Sequence, residues 1–355
     1  MARILIKNGR VWDGTRFFNS DVFIENNIIG NIGENLCDDA DFVYDATGKI
    51  VSAGFVDLHA HLLVDERDKY GMQAESCCFP FGVTAAADAG RCNGENSTMA
   101  RFFLKNVVFV GADIHNGIVD FQALENAYAR FLDRVVGIKV YFDSEQTNAK
   151  SVGVIEEICN FAEKRNLRVM VHCANCPVAI SELLSVLRAG DILTHAFQGS
   201  KNNVTCDNYV SLMAAQARGV VIDSGFAGHV HTNFAILRGA VENGVIPNTI
   251  STDITRFSAF TRGGKYGMTM CMSIARSVGI SESDIFRAVT SSPSQVLGKS
   301  DAWGYLAKGG CADIAVVEFA NEGFDLTDKA GNNIKSDTGY RCVLTIANGQ
   351  VVYKN

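Results

Sequence analysis

Apolar positions along the chain fall into two rhythms. From about residue 53 to residue 307, short β-branched runs ending in polar residues alternate with stretches of helical spacing. The strand-like runs are 54–59, 83–88, 107–112, 135–141, 168–172, 191–195, 220–223 and 249–253. Between them, 154–165, 178–188, 208–218 and 233–243 place apolar residues on one face of a helix. Eight strands alternating with helices over about 250 residues predict an α/β fold, a (β/α)8 TIM barrel.

The two ends of the chain follow the other rhythm, that of a β-sheet. Residues 4–11 and 344–353 are apolar runs interrupted by Asn8-Gly9 and Asn348-Gly349. Asn-Gly tolerates positive φ at both positions and predicts a hairpin turn. Residues 21–32 and 312–319 also read as strands. Neither end is long enough to build a core alone. The economical arrangement is a small β-sandwich domain made from residues 1–52 and 308–355, with residues 53–307 forming the barrel.

Composition narrows the class. Hydrophobic residues are 47% and charged residues 20% of the chain, which excludes a disordered or fibrous protein. The longest apolar runs, such as 107–112, fall far short of the ~18 residues of a membrane helix. The first residues lack the long apolar core of an export signal, so a cytoplasmic protein is expected. Net charge is −7 and no Lys/Arg cluster stands out, which makes nucleic acid and anionic membranes poor partners. A small-molecule substrate is the expected partner. The 11 cysteines, an odd number in a chain of this size, read as reduced thiols and not as a disulfide framework.

Six polar residues stand at the C-terminal ends of five strand-like runs, the face where barrel enzymes carry their chemistry. His59 and His61 are two apart, so both imidazoles can reach one cation. Lys139 lies inside the apolar run 135–141. On its own it reads as a lysine snorkelling to the strand end. With histidines and an aspartate at matching ends, it reads as a neutral amine that adds CO2 to become a carbamate (N6-carboxylysine) bridging two metal ions. His172 and His195 end consecutive strands. One such histidine is ordinarily a core residue; two at the same end point to ligation. Asp253 closes the set, although a lone aspartate there would ordinarily cap the next helix. Carbamate, Asp253 and a hydroxide nearly balance two divalent ions. Imidazole and carboxylate ligands suit zinc first, with manganese, iron or nickel as alternatives.

Gly54-Phe55-Val56-Asp57-Leu58-His59-Ala60-His61 resembles the first-strand signature of the amidohydrolase superfamily, and Lys139, His172, His195 and Asp253 follow in that superfamily's order. Residues 304–315 are similar to the segment in which these enzymes return from barrel to β domain. Residues 82–84, 88–90, 137–139, 194–199 and 251–254 look most like the dihydroorotase-like amidohydrolase/deacetylase subgroup. One departure concerns the segment after the seventh strand. The subgroup has Asp-Val-Gly-His-Gly there, whereas this chain has Asp223-Ser224-Gly225-Phe226 followed by Ala227-Gly228-His229-Val230-His231. His229 or His231 is then the candidate to replace the histidine missing at Phe226. The usual Asn-Pro-Ala near the end of the barrel is Ser292-Pro293-Ser294.

The resemblance implies a binuclear hydrolase. His59, His61, Lys139 and Asp253 would hold one metal, and Lys139, His172 and His195 the other. Asp253 would take the proton of the attacking water and pass it to the leaving group. The preferred substrate is a small N- or O-acylated carboxylic acid, cleaved at an amide or ester bond. Arg91 and Arg256 lie near the active face and could pair with its carboxylate, or be solvated loop arginines. A cyclic amide or an adenine-type exocyclic amine is the alternative substrate. A non-catalytic superfamily member acting as an assembly partner is the alternative of another class, and its mark would be a missing ligand. Barrels of this type commonly self-associate, so a homo-oligomer fits. Cys173 and Cys176 form a Cys-x-x-Cys beside His172, read as incidental; Cys77-Cys78 reads as packing and His115 as a surface histidine.

Overall fold

The computed structural model describes residues 3–37, 39–62, 70–90, 103–261 and 265–355. The first strands are β1 (Arg3–Trp12), β2 (Phe17–Glu25), β3 (Ile28–Gly33), β4 (Phe42–Asp45) and β5 (Ile50–Ala53). The barrel strands are β6 (Phe55–Ala60), β7 (Val83–Asp88) and β8 (Lys105–Ala112). A short hairpin, β9 (Ile114–His115) with β10 (Ile118–Val119), follows on the surface. The barrel continues with β11 (Val135–Tyr141), β12 (Arg168–His172), β13 (Ile192–Thr194) and β14 (Val221–Ile222). The chain ends in β15 (Ile314–Ala320), β16 (Phe324–Thr327), β17 (Asn333–Ser336), β18 (Gly339–Ala347) and β19 (Gln350–Lys354).

Strands β6, β7, β8, β11, β12, β13 and β14 form one parallel sheet in that order. Parallel pairing demands long crossovers, and helices such as Gly153–Glu163, Val210–Ala217 and Phe234–Glu242 supply them. The sheet curls, and the expected eighth strand closes it as an extended segment instead of a regular strand. Thr249 bridges Asp223 on one side, and Ile254 bridges Ala60 on the other. Asp253 interrupts regular pairing because its φ is 46°. Its N–H still donates to the His59 carbonyl at 2.7 Å. The result is a TIM-barrel-like body whose seam runs between two candidate ligands.

Both ends of the chain share a second sheet, in the order β19-β18-β15-β5-β1-β2-β3, with β4 also on β1. Alternate residues Ile4 and Ile6, Val22 and Ile24, Ile314 and Val316, Leu344 and Ile346 point to one buried apolar cluster. Asn348-Gly349 is the two-residue turn between β18 and β19, with positive φ at both residues. Asn8-Gly9 is not a turn. It is a bulge inside β1, where Asn8 has φ 62° and the partner changes from β4 to β5. The single strand expected over 21–32 is a hairpin, β2 and β3, turning at Asn26 with φ 59°.

Candidate active site

The six strand-end residues meet. His59 and His61 leave the end of β6, Lys139 is in β11, His172 ends β12, His195 follows β13, and Asp253 lies in the closing segment. All are buried, His59, Lys139 and His195 completely. The nitrogens of His59 and His61 and an oxygen of Asp253 form one group close enough to hold a metal ion. His172, His195 and His231 form a second. The rings of His59 and His195, one from each group, are 5.2 Å apart between centroids.

The tautomers are set from behind. Thr194 Oγ1 donates to Asp223 Oδ2 at 2.7 Å and lies 3.0 Å from His59 Nδ1. A hydroxyl that has given away its proton can only accept, so His59 carries its proton on Nδ1 and turns the Nε2 lone pair inward. His195 Nδ1 donates to the Gly225 carbonyl at 2.6 Å, and its Nε2 has no hydrogen-bond partner. His172 Nε2 lies 3.0 Å from Asp143 Oδ2, which leaves Nδ1 as its other ring nitrogen, and the ring meets that of His195 edge-on at 4.5 Å between centroids. Asp143 is fixed in turn by the N–H groups of Ala174 and Asn175 at 2.8 and 2.9 Å. That is the work of the Cys173-Ala174-Asn175-Cys176 turn. Its two cysteines are buried free thiols.

Electrostatics agree with metal-ready ligands. Burial, with Lys139 adding to it, lowers the His59 pKa to about 3. Burial and the neighbouring His172 and His231 hold His195 well below the usual imidazole range. Burial would raise the Asp253 carboxyl, but His59 and His61 outweigh it and hold it well below the usual carboxylate range. At neutral pH His59 is therefore a neutral acceptor facing an anionic acceptor. Asp253 Oδ1 is 3.1 Å from His59 Nε2 and 2.9 Å from His61 Nε2, yet makes no hydrogen bond of acceptable angle. Lone pairs so gathered, with buried orphan atoms on Asp253 and His195, fit a cation among them. Lys139 Nζ is 2.8 Å from His59 Nε2, and burial lowers its pKa to about 7, so a large fraction is neutral amine at pH 7. His195 and Asp253 stand at φ 60° and 46°, left-handed conformations uncommon for residues with a side chain.

The groups open into a cavity of about 560 Å³, lined among others by His61, Tyr141, His172, Gln198, His231 and Asp253. His231 was expected as a substrate residue. Its ring is 4.5 Å from that of His195 and 5.1 Å from that of His172, and burial lowers its pKa to about 4. The side chain of His229, the other candidate, lies outside the described residues. Arg91 lies outside them as well. Arg256 opens the helix Arg256–Thr261, is exposed and is not among the cavity residues. Sequence reasoning missed Asp143, Asp223 and Thr194 as supports, and Lys329 at the cavity. Lys329 comes from the turn between β16 and β17. His115 is exposed, as expected.

The model of the Amidohydrolase family matches residues 50–352. The chain belongs to the amidohydrolase family. It is accordingly a hydrolytic enzyme of the carbon–nitrogen bond class. A relative from Enterococcus faecalis named deacetylase is 27% identical over 98% of both chains. Among solved structures, a dihydroorotase superposes with TM-score 0.89 at 21% identity over all of both chains. An adenine deaminase superposes with TM-score 0.85 at 23% identity over 99% of both. At those identities the amidohydrolase fold is what is shared. Among the described residues no helix is long and apolar enough to cross a membrane.

Proposed function

We propose that this amidohydrolase is a binuclear metal-dependent hydrolase that removes the acyl group from a small acylated carboxylic acid. The observation that carries the reading is the pair of ligand groups, His59/His61/Asp253 and His172/His195/His231, meeting at one cavity with Lys139 buried beside them. The deacetylase-named relative over nearly the whole chain supports the choice of bond.

His59, His61 and Asp253 would hold one ion and His172 and His195 the other, with Lys139 as a carbamate between them. When bound, the ions, zinc in the first instance, supply Lewis acidity and an activated water near neutral pH. Asp253, ionised at neutral pH, accepts a proton at a carboxylate oxygen and returns it to the leaving amine or alcohol. His231, neutral and at the cavity wall, is placed to hydrogen-bond to the substrate. Thr194, Asp223 and Gly225 hold the imidazoles of His59 and His195 and keep them from turning. The same reading assigns residues 53–307 to the catalytic barrel, and 1–52 with 308–355 to a small β-sandwich domain. The separate apolar cluster of that sheet supports the division.

The test combines Lys139→Ala with a panel of N-acetyl amino acids and O-acetyl hydroxy acids. The wild-type protein, purified with metal and bicarbonate, releases acetate from a member of the panel. Lys139→Ala loses most metal and activity. Full metal and full activity in that variant overturn the carbamate, and no release from any member overturns the substrate class.

A further inference from the structure

We propose that Lys329, on the turn between β16 and β17, is the residue that recognises the substrate's carboxylate. This deepens the reading of the site as an acyl hydrolase and rests on it.

The turn belongs to the C-terminal part of the chain, yet Asp328, Lys329 and Ala330 line the same cavity as His61, His172, His231 and Asp253. Among the described residues lining that cavity, Lys329 is the only lysine or arginine. It forms no ion pair within 4.0 Å among the described residues. Its charge reaches the site, for it is one of the groups that disfavour protonation of His231.

The acids of the cavity are mostly engaged. Asp143 accepts from Ala174, Asn175 and His172. Asp253 faces the imidazoles. Asp328 Oδ1 accepts the N–H groups of Ala330 and Asn332 at 2.8 and 2.9 Å, and Oδ2 accepts those of Phe234 and the Asn332 side chain at 2.8 and 2.9 Å. Glu145 is the remaining carboxylate and is exposed. Lys329 is exposed at the mouth of a site where, Glu145 apart, the acids are engaged, so its ammonium is available to an anion entering with the substrate, and the acylated acid carries one.

The turn is also rigidly placed. Asp328 is buried, and its bond to Phe234 N ties the turn to the start of the helix Phe234–Glu242. The residues just before that helix, His231, Thr232 and Asn233, line the cavity themselves. Asn332 Nδ2 reaches Asn233 Oδ1 at 3.3 Å, a second tie. One hydrogen-bond network therefore fixes the backbone of the Lys329 turn relative to the His231 loop. A carboxylate held by Lys329 would be positioned relative to the bond under attack, which is the use of remote binding in orienting a substrate. Lysine serves here as a point charge on a flexible stem, so small differences in acid length are tolerated.

The experiment compares each N-acetyl amino acid with its carboxamide, on the metal-loaded wild type, Lys329→Gln and Lys329→Arg. Acetate release gives kcat and KM, and calorimetry with the free acid products gives binding. Loss of a charged hydrogen bond predicts a fall of about 10- to 100-fold in kcat/KM for the acid in Lys329→Gln, mostly through KM. The carboxamide should fall far less, Lys329→Arg should recover most of the loss, and metal content should not change. Equal losses on acid and carboxamide, or no loss on either, overturn the assignment. If the wild type binds the acids through Lys329 but hydrolyses none, the acyl-hydrolase reading fails while Lys329 stands as the carboxylate site.

Discussion

His59 Nε2 and Asp253 Oδ1 face each other at 3.1 Å with no hydrogen bond between them. The His59 proton sits on the far side of the ring, toward Thr194, and the carboxylate is ionised. Lys139 Nζ, 2.8 Å from His59 Nε2, relieves part of the repulsion between these two buried lone-pair carriers, and a metal ion among them would relieve the rest. Metal removal should therefore lower stability, by about 4 kcal/mol for each ion held at a thousandfold above its Kd. Asp253→Asn should remove the repulsion. Its metal-free form should melt at or above the metal-free wild type, whereas its metal-loaded form melts below. Thermal scans with and without chelator check both signs.

Thr194 orients His59 through Asp223, so its hydroxyl matters although it touches no substrate. Thr194→Val should weaken metal binding about 10- to 100-fold, the usual consequence of losing such a support. Thr194→Ser should retain most of it. Competition with a chelating dye measures the affinity, and unchanged affinity in Thr194→Val contradicts the assigned tautomer.

Gly225 has φ +50°, and a Cβ there would lie 2.5 Å from both His195 Nδ1 and Thr194 Oγ1. Gly225→Ala should push the His195 ring out of line and strain the backbone. A loss of about 1–3 kcal/mol in stability, together with reduced metal content, is the expected outcome. Denaturant midpoints and elemental analysis check it.

Burial of the histidines couples the stability of the metal-free chain to pH. His231 has its pKa lowered from 6.5 to about 4, so the folded metal-free chain binds fewer protons there than the unfolded chain over that interval. Its share of stability is fully present above pH 6.5 and is lost as pH falls toward 4. His59, lowered to about 3, acts in the same direction, and Asp57, raised to about 7 mainly by burial, acts in the opposite one from about pH 4 to 7. The difference between wild type and His231→Gln isolates one group. The variant's stability should rise less steeply with pH between 4 and 6.5. Urea titrations of chelated protein at several pH values test this, and parallel curves contradict it.

The sequence carried the parallel strands well where an apolar run ends in a polar residue. Runs 83–88, 135–141 and 168–172 match β7, β11 and β12 residue for residue. The closing segment 249–253 differs because Asp253 adopts a left-handed conformation that no apolar pattern records. Asn8-Gly9 and Asn348-Gly349 look alike as dipeptides. Only the second turns the chain, since the first lies in a strand that exchanges one neighbour for another. The candidate ligands were legible because β-strands put them at one end of a barrel. Lys329 was not, because the place of its turn at the cavity is set by a hydrogen bond from Phe234, at the start of a helix nearly a hundred residues earlier, to Asp328. Periodicity does not encode such a contact.

The most direct measurement is the number of metal ions per chain, by elemental mass spectrometry of protein purified without chelator and with bicarbonate present. About two ions per chain, mostly zinc, is the predicted result. A content near zero that metal and bicarbonate together do not restore would contradict the metal-dependent site.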